Sequence, residues 1–111
     1  MAVEADVRRL ALALPEVGEA AHFEQTSFRV ANKIFCTMGA EPGRIMLKLD
    51  PEDQANLVAD DPQAIQPVPG YWGRKGSTWV WIARLDDERL AALVRLAWAS
   101  VAPKRLSRGA E

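Results

Sequence analysis

The residues of this chain best suited to chemistry crowd into one stretch, "PVPGYWGRKGSTWVWIAR", residues 67–84. It holds three of the four tryptophans, the single tyrosine, and Arg74, Lys75 and Arg84, with no acid among them. Rings stack on nucleobases and cations hold phosphates, so this mixture suits a surface for single-stranded nucleic acid. The same residue types also stabilise a sheet unaided. Tryptophan packs across strands on the stems of Arg and Lys and attracts their charge to its ring.

Other candidate chemistry is sparse. "GRKG" (73–76) sets two cations between glycines, and its backbone N–H groups could cradle a phosphate. It lacks the P-loop spacing, in which Lys is followed by Ser or Thr, and a turn accounts for it equally. His22 has Glu19 and Glu24 nearby, but a lone histidine without a second ligand at metal spacing is poor ground for a metal site. No Ser-His-Asp or Cys-His arrangement is visible, because a single histidine would have to serve every role. Cys36 is the only cysteine, so no internal disulfide or cysteine-based metal cluster can form. It lies in the apolar run "KIFCTMG", with no cation beside it to make a thiolate, and is expected as a small core residue. We expect no catalytic residue, no metal and no cofactor.

At 111 residues, 49% hydrophobic and 26% charged, the chain is expected to form one domain, residues 1–111, with a real core. No apolar run approaches a membrane span, and "MAVEADVRRL" carries acids where a secretory signal needs a basic start. The expected location is therefore cytoplasmic, without a membrane partner. A net charge of −1 speaks against a dedicated duplex-DNA binder, which shows a basic footprint. Charge is nevertheless segregated. Residues 51–65 carry four acids and no cation, whereas the tail from 102 carries Lys104, Arg105 and Arg108 against Glu111. A local positive face is compatible with that distribution.

The elements that must position these residues follow from periodicity. Val3, Val7, Leu10 and Leu14 recur at helical spacing, with Glu4 and Asp6 in the first turn and Pro15 as the stop. "EVGEAAHFEQ" reads as a polar connection. "TSFRVANKIFCTMG" reads as a hairpin turning at Ala31-Asn32-Lys33, and "RIMLKL" as a third strand after the "EPGR" turn. Asp50 and Pro51 begin a short helix ending by Pro62. "QPVPG" is too poor in N–H donors for a central strand, and "STWVWIAR" is the last strand. Asp86 caps the final helix, Leu85 can staple to Leu90, and Leu90, Leu93, Val94 and Val101 form the apolar stripe with Trp98 close by. The expected class is α+β: an antiparallel sheet with the N- and C-terminal helices on one face and a short helix between strands.

Strand alternation then assigns faces. Val30, Ile45, Leu47, Val80 and Ile82 belong under the helices, because β-branched residues suit a covered surface. The opposite face carries Arg29, Arg44, Met46, Lys48, Trp79 and Trp81. The candidate nucleic-acid-binding residues are Arg29, Lys48, Arg74, Lys75, Trp79 and Trp81. The alternative is a non-enzymatic protein-interaction or self-association domain using that same face, since exposed aromatics mark interfaces of any kind.

With these residues in hand, the chain resembles the MmcQ/YjbR family, small bacterial proteins with a twisted antiparallel, CyaY-like "double-wing" fold. The resemblance rests on "ALALPEV", "SFRVANKIF", "GRIMLKLDPE", "VPGYWGRKG" and "AWASVAPKRL", family blocks in family order along nearly the whole chain. It implies the layout above, a DNA-binding role by fold analogy, and no catalytic residue. The family often has Trp directly after the "GRKG" block. This chain has Ser77 there and places Trp at 79 and 81.

Overall fold

Alternating apolar residues build a six-stranded antiparallel sheet in the order β1-β2-β3-β4-β6-β5. The strands are β1 (Gly18–His22), β2 (Gln25–Val30), β3 (Lys33–Glu41), β4 (Arg44–Lys48), β5 (Ile65–Pro67) and β6 (Ser77–Trp81). Among the described residues five α-helices accompany them: α1 (Glu4–Leu12), α2 (Pro51–Asp60), α3 (Tyr71–Arg74), α4 (Asp87–Val101) and α5 (Lys104–Gly109). This computed structural model describes residues 2–109, with side chains as far as Leu106. Arg108 and Glu111, part of the charge balance of the tail, lie outside the described side chains.

The register confirms the face assignment. One row runs Phe28–Cys36–Leu47–Thr78 and the next Thr26–Met38–Ile45–Val80–Ile65, and from Phe28 to Ile65 these are buried apart from Thr26. Helix α4 lies against β3 and β4 on this side and α1 packs on α4, which puts the N-terminal helix and the long helix α4 on one face, with α5 an additional helix beyond Pro103. Leu90, Leu93, Val94, Ala97 and Trp98 supply the α4 stripe, and the Trp98 indole donates to the Pro15 carbonyl at 3.1 Å. In α1 the buried line is Val7 and Ala11, while Val3 turns outward and is half exposed. Both expected caps form: Asp50 accepts from the Glu52 amide at 2.9 Å and Asp86 from the Arg89 amide at 2.7 Å.

Two edge strands differ from the sequence expectation, and the expected last strand "STWVWIAR" ends early, at Trp81, because Ile82–Arg84 turn into a 3-10 helix closed by the Leu85 amide on the Ile82 carbonyl. "GEAAH", expected as a connection, is β1. Four of its five residues are exposed, so it has no buried face to write an alternating pattern. β5 is three residues inside the Pro-rich segment; Pro67 is tolerated because an edge strand needs hydrogen-bond donors on one side only. The β2–β3 turn uses positive φ at Ala31 and Asn32, 51° and 65°, the pattern of a tight two-residue hairpin.

Candidate nucleic-acid interface

The open face is a second set of rows. Ala20, Ser27, Thr37, Met46, Trp79 and Gln66 stand side by side across all six strands. Arg44 is paired with Trp81, and Lys48 with Ser77. Trp79 and Trp81 therefore share the face opposite the helices, but both are half-buried rather than freely displayed. Arg44 lies over them: its guanidinium is 3.9 Å from the centre of the Trp79 ring and 5.8 Å from that of Trp81, and Glu41 holds it at 2.9 Å. Aromatic faces attract a guanidinium through their quadrupole, and a carboxylate fixes it there.

The freely displayed rings are elsewhere. Tyr71 and Trp72, on α3, are 55% and 65% exposed and meet edge to face at 5.1 Å. The segment carrying them is pinned. A Cβ on Gly73 would stand 1.6 Å from the Val68 carbonyl oxygen, and one on Gly76 would stand 1.9 Å from that of Leu49. Gly76, at φ 111°, also gives its carbonyl to the Leu49 amide at 2.9 Å. From α2, the buried Gln54 amide donates toward the Gly73 and Ser77 carbonyls and the Thr78 hydroxyl, each at 3.0 Å. The Thr78 hydroxyl passes its own proton to the Gly76 carbonyl at 2.9 Å. "GRKG" is thus a rigid loop rather than a loose turn, and its glycines are required by close backbone approach.

Four of the six candidate residues gather at this end of the sheet. Lys48 extends its ammonium to the Lys75 carbonyl, the Lys75 ammonium stands 5.5 Å from the Tyr71 ring centre, and Arg74 precedes it in the loop. Arg29, bonded through Nε to the Ser27 hydroxyl at 3.1 Å, lies on the open face near the same end, two strands from Lys48. That is roughly 10 Å at the usual strand spacing. Trp79 sits mid-strand, and Trp81 stands at the far end with Arg44. Among the described residues, Arg29, Lys48, Arg74 and Lys75 form no ion pair, whereas Arg8, Arg9, Arg44, Arg89 and Arg105 each hold a carboxylate. Tyr71, Trp72, Arg44 and Gln54 complete the region but are absent from the sequence-derived set. The signal for Tyr71 and Trp72 was their position between Pro69 and Gly73, outside any strand. Gln54 carried no signal, since only packing brings it to the loop.

Two other candidates resolve plainly. Cys36 is wholly buried, and burial pushes its thiol pKa far above the ordinary value, which removes any thiolate. His22 packs edge-on to Phe23 at 4.8 Å, and among the described residues no three His, Cys, Asp or Glu side chains cluster as metal ligands. No helix of the described residues is long and apolar enough to cross a membrane.

Sheet, helices and loop define an α+β protein with one helix-covered face and one open face. The YjbR family model matches residues 12–100, and the chain belongs to the YjbR family. The crystal structure of Deinococcus radiodurans protein DR2400, which has a DUF419 domain, is similar in fold, with a TM-score of 0.77 and 24% identity. That likeness covers 98% of this chain and 88% of the other. No curated protein matches the sequence.

Proposed function

We propose that this YjbR-family protein is a non-enzymatic module that binds single-stranded nucleic acid, DNA in the first instance. The strand lies on the end of the open face formed by Lys48, Arg74, Lys75 and Arg29, with Tyr71 and Trp72 as its stacking platform. One observation carries the reading: these four cations have no carboxylate partner among the described residues, and three of them, Lys48, Arg74 and Lys75, meet at the pinned loop that displays Tyr71 and Trp72. Unpaired cations attract phosphates without first breaking an ion pair. Exposed rings accept any base, at about 1–3 kcal/mol per stacked base. A platform held by Gln54 and two close-packed glycines needs little ordering on binding. Trp79 and Trp81 act here as the floor under Arg44. The preference for single strands agrees with the small net charge, which gives too little footprint for duplex.

The test is a tryptophan-fluorescence titration with a single-stranded oligonucleotide at low and moderate salt. Quenching that weakens with salt is the expected result. Arg74→Ala and Lys75→Ala each lower the slope of log K against log salt by about 0.7, and Trp72→Ala costs about 1–3 kcal/mol. Absence of quenching at high micromolar protein, or equal binding by the Arg74→Ala/Lys75→Ala double variant, rejects the assignment.

A further inference from the structure

Strands β2 and β3 do not pair evenly. Phe28 stands opposite Cys36, but the next residue, Arg29, stands opposite Ile34, so Phe35 is an extra residue in β3. This is a β-bulge, which re-aims side chains that regular alternation would place elsewhere. In an unbroken strand Ile34 would share the helix-covered face with Cys36, two residues on. Here Phe35 and Cys36 are both wholly buried, and Ile34 changes sides to become the partner of Arg29.

Arg29 fixes which side that is. Its Nε donates to the Ser27 hydroxyl at 3.1 Å, and Ser27 belongs to the row of the open face. Directly paired residues share a face, so Ile34 lies on the open one. It is only partly covered there. It is neither in the core nor among the apolar side chains packed against the core. Core packing therefore does not account for an isoleucine at this position.

Its surroundings are cationic. Arg29 is its partner on β2, and β4, on the other side of β3, ends in Lys48. Among the described residues neither cation holds a carboxylate. A branched alkyl group has no ring to stack on a base, and what it offers is apolar surface. The alkyl group presented by a standard DNA base is the thymine methyl, whose usual partners are apolar side chains. Uracil carries hydrogen at the same place.

We propose that Ile34 seats a thymine methyl, so that the strand bound at this end of the open face is thymine-bearing DNA with its phosphates on Arg29 and Lys48. The inference rests on the single-strand reading above and gives it a base preference. Tyr71 and Trp72 accept any base, whereas Ile34 separates thymine from uracil. The bulge makes this possible, since it sends Phe35 to the core and leaves Ile34 for the ligand.

Tryptophan-fluorescence titrations with oligodeoxythymidylate and oligodeoxyuridylate of equal length, about ten nucleotides, test it. The two strands have the same backbone and charge and differ only in the methyl group. Wild type should bind the thymine strand about fourfold more tightly, the factor given by about 0.8 kcal/mol for one buried methyl. Ile34→Ala brings that ratio toward one. Ile34→Thr, which keeps a β-branched residue in the strand, lowers it as well, and circular dichroism checks that both variants fold. A wild-type ratio near one overturns the role of Ile34 while leaving the single-strand reading in place, and so does a ratio that both variants retain. Failure of wild type to bind either strand overturns both.

Discussion

The side-chain amide of Gln54, on α2, donates to the main-chain carbonyl of Gly73, on α3, at 3.0 Å in a buried position. The same nitrogen faces the Ser77 carbonyl and the Thr78 hydroxyl, so one side chain ties the acidic helix to the basic loop and the last strand. Gln54→Leu keeps the volume but strands these acceptors away from water. A loss of about 1–3 kcal/mol is expected in denaturant unfolding. Amide exchange should rise first around residues 73–78.

Gly73→Ala tests the close approach of α3 to the Pro-rich segment. Its new Cβ would fall 1.6 Å from the Val68 oxygen, an atom of the main chain that cannot swing aside. The segment must shift as a whole, and destabilisation above about 3 kcal/mol is expected from thermal or urea unfolding. Gly18→Ala is the control, because nothing lies within 4 Å of its added Cβ.

Arg44→Met leaves an apolar stem but removes the guanidinium lying over Trp79. The half-buried ring gains solvent, so tryptophan emission should move to longer wavelength. Stability should fall by about 0.5–2 kcal/mol, the range of a cation–π contact. If the emission does not change, the guanidinium is not what shields the ring.

Asp6 tests the acid limb of stability. Its carboxylate accepts the Val3 amide at 2.9 Å and then the Arg9 guanidinium, and these hold its pKa below the ordinary carboxylate value. Glu16 is lowered likewise by Arg105, at 2.9 Å. A carboxyl with a lowered folded pKa stabilises the protein above its unfolded pKa. That contribution disappears as pH falls through the folded value. Melting temperature should therefore decline from about pH 5 toward pH 3 and below, modestly, since Glu16 is exposed to solvent and Asp6 is only partly covered. Asp6→Asn should flatten the decline, and added salt should remove most of the Glu16 part.

Sequence alone was enough for the elements that have one buried and one open side. Ile45-Met46-Leu47-Lys48 and Thr78-Trp79-Val80-Trp81 write their faces in strict alternation, and the register agrees with both. Asp50 and Asp86 announced their helices because an N-cap is a local interaction between neighbours in the chain. β1 left no such record, since it buries neither face, and neither did β5, which is only three residues long.

The site divides along the same line. Local chemistry in the sequence determined which residues are basic, which are aromatic, and that Trp79 and Trp81 point away from the helices. Only tertiary structure decided which rings are free. Arg44 reaches the tryptophans from the neighbouring strand, and Gln54 reaches the loop across nineteen positions of sequence. These contacts depend on how strands and helices come to lie together, which no spacing along one segment encodes. They leave Trp79 and Trp81 as the floor of the open face, and Tyr71 and Trp72, on the loop that Gln54 pins, as its displayed surface.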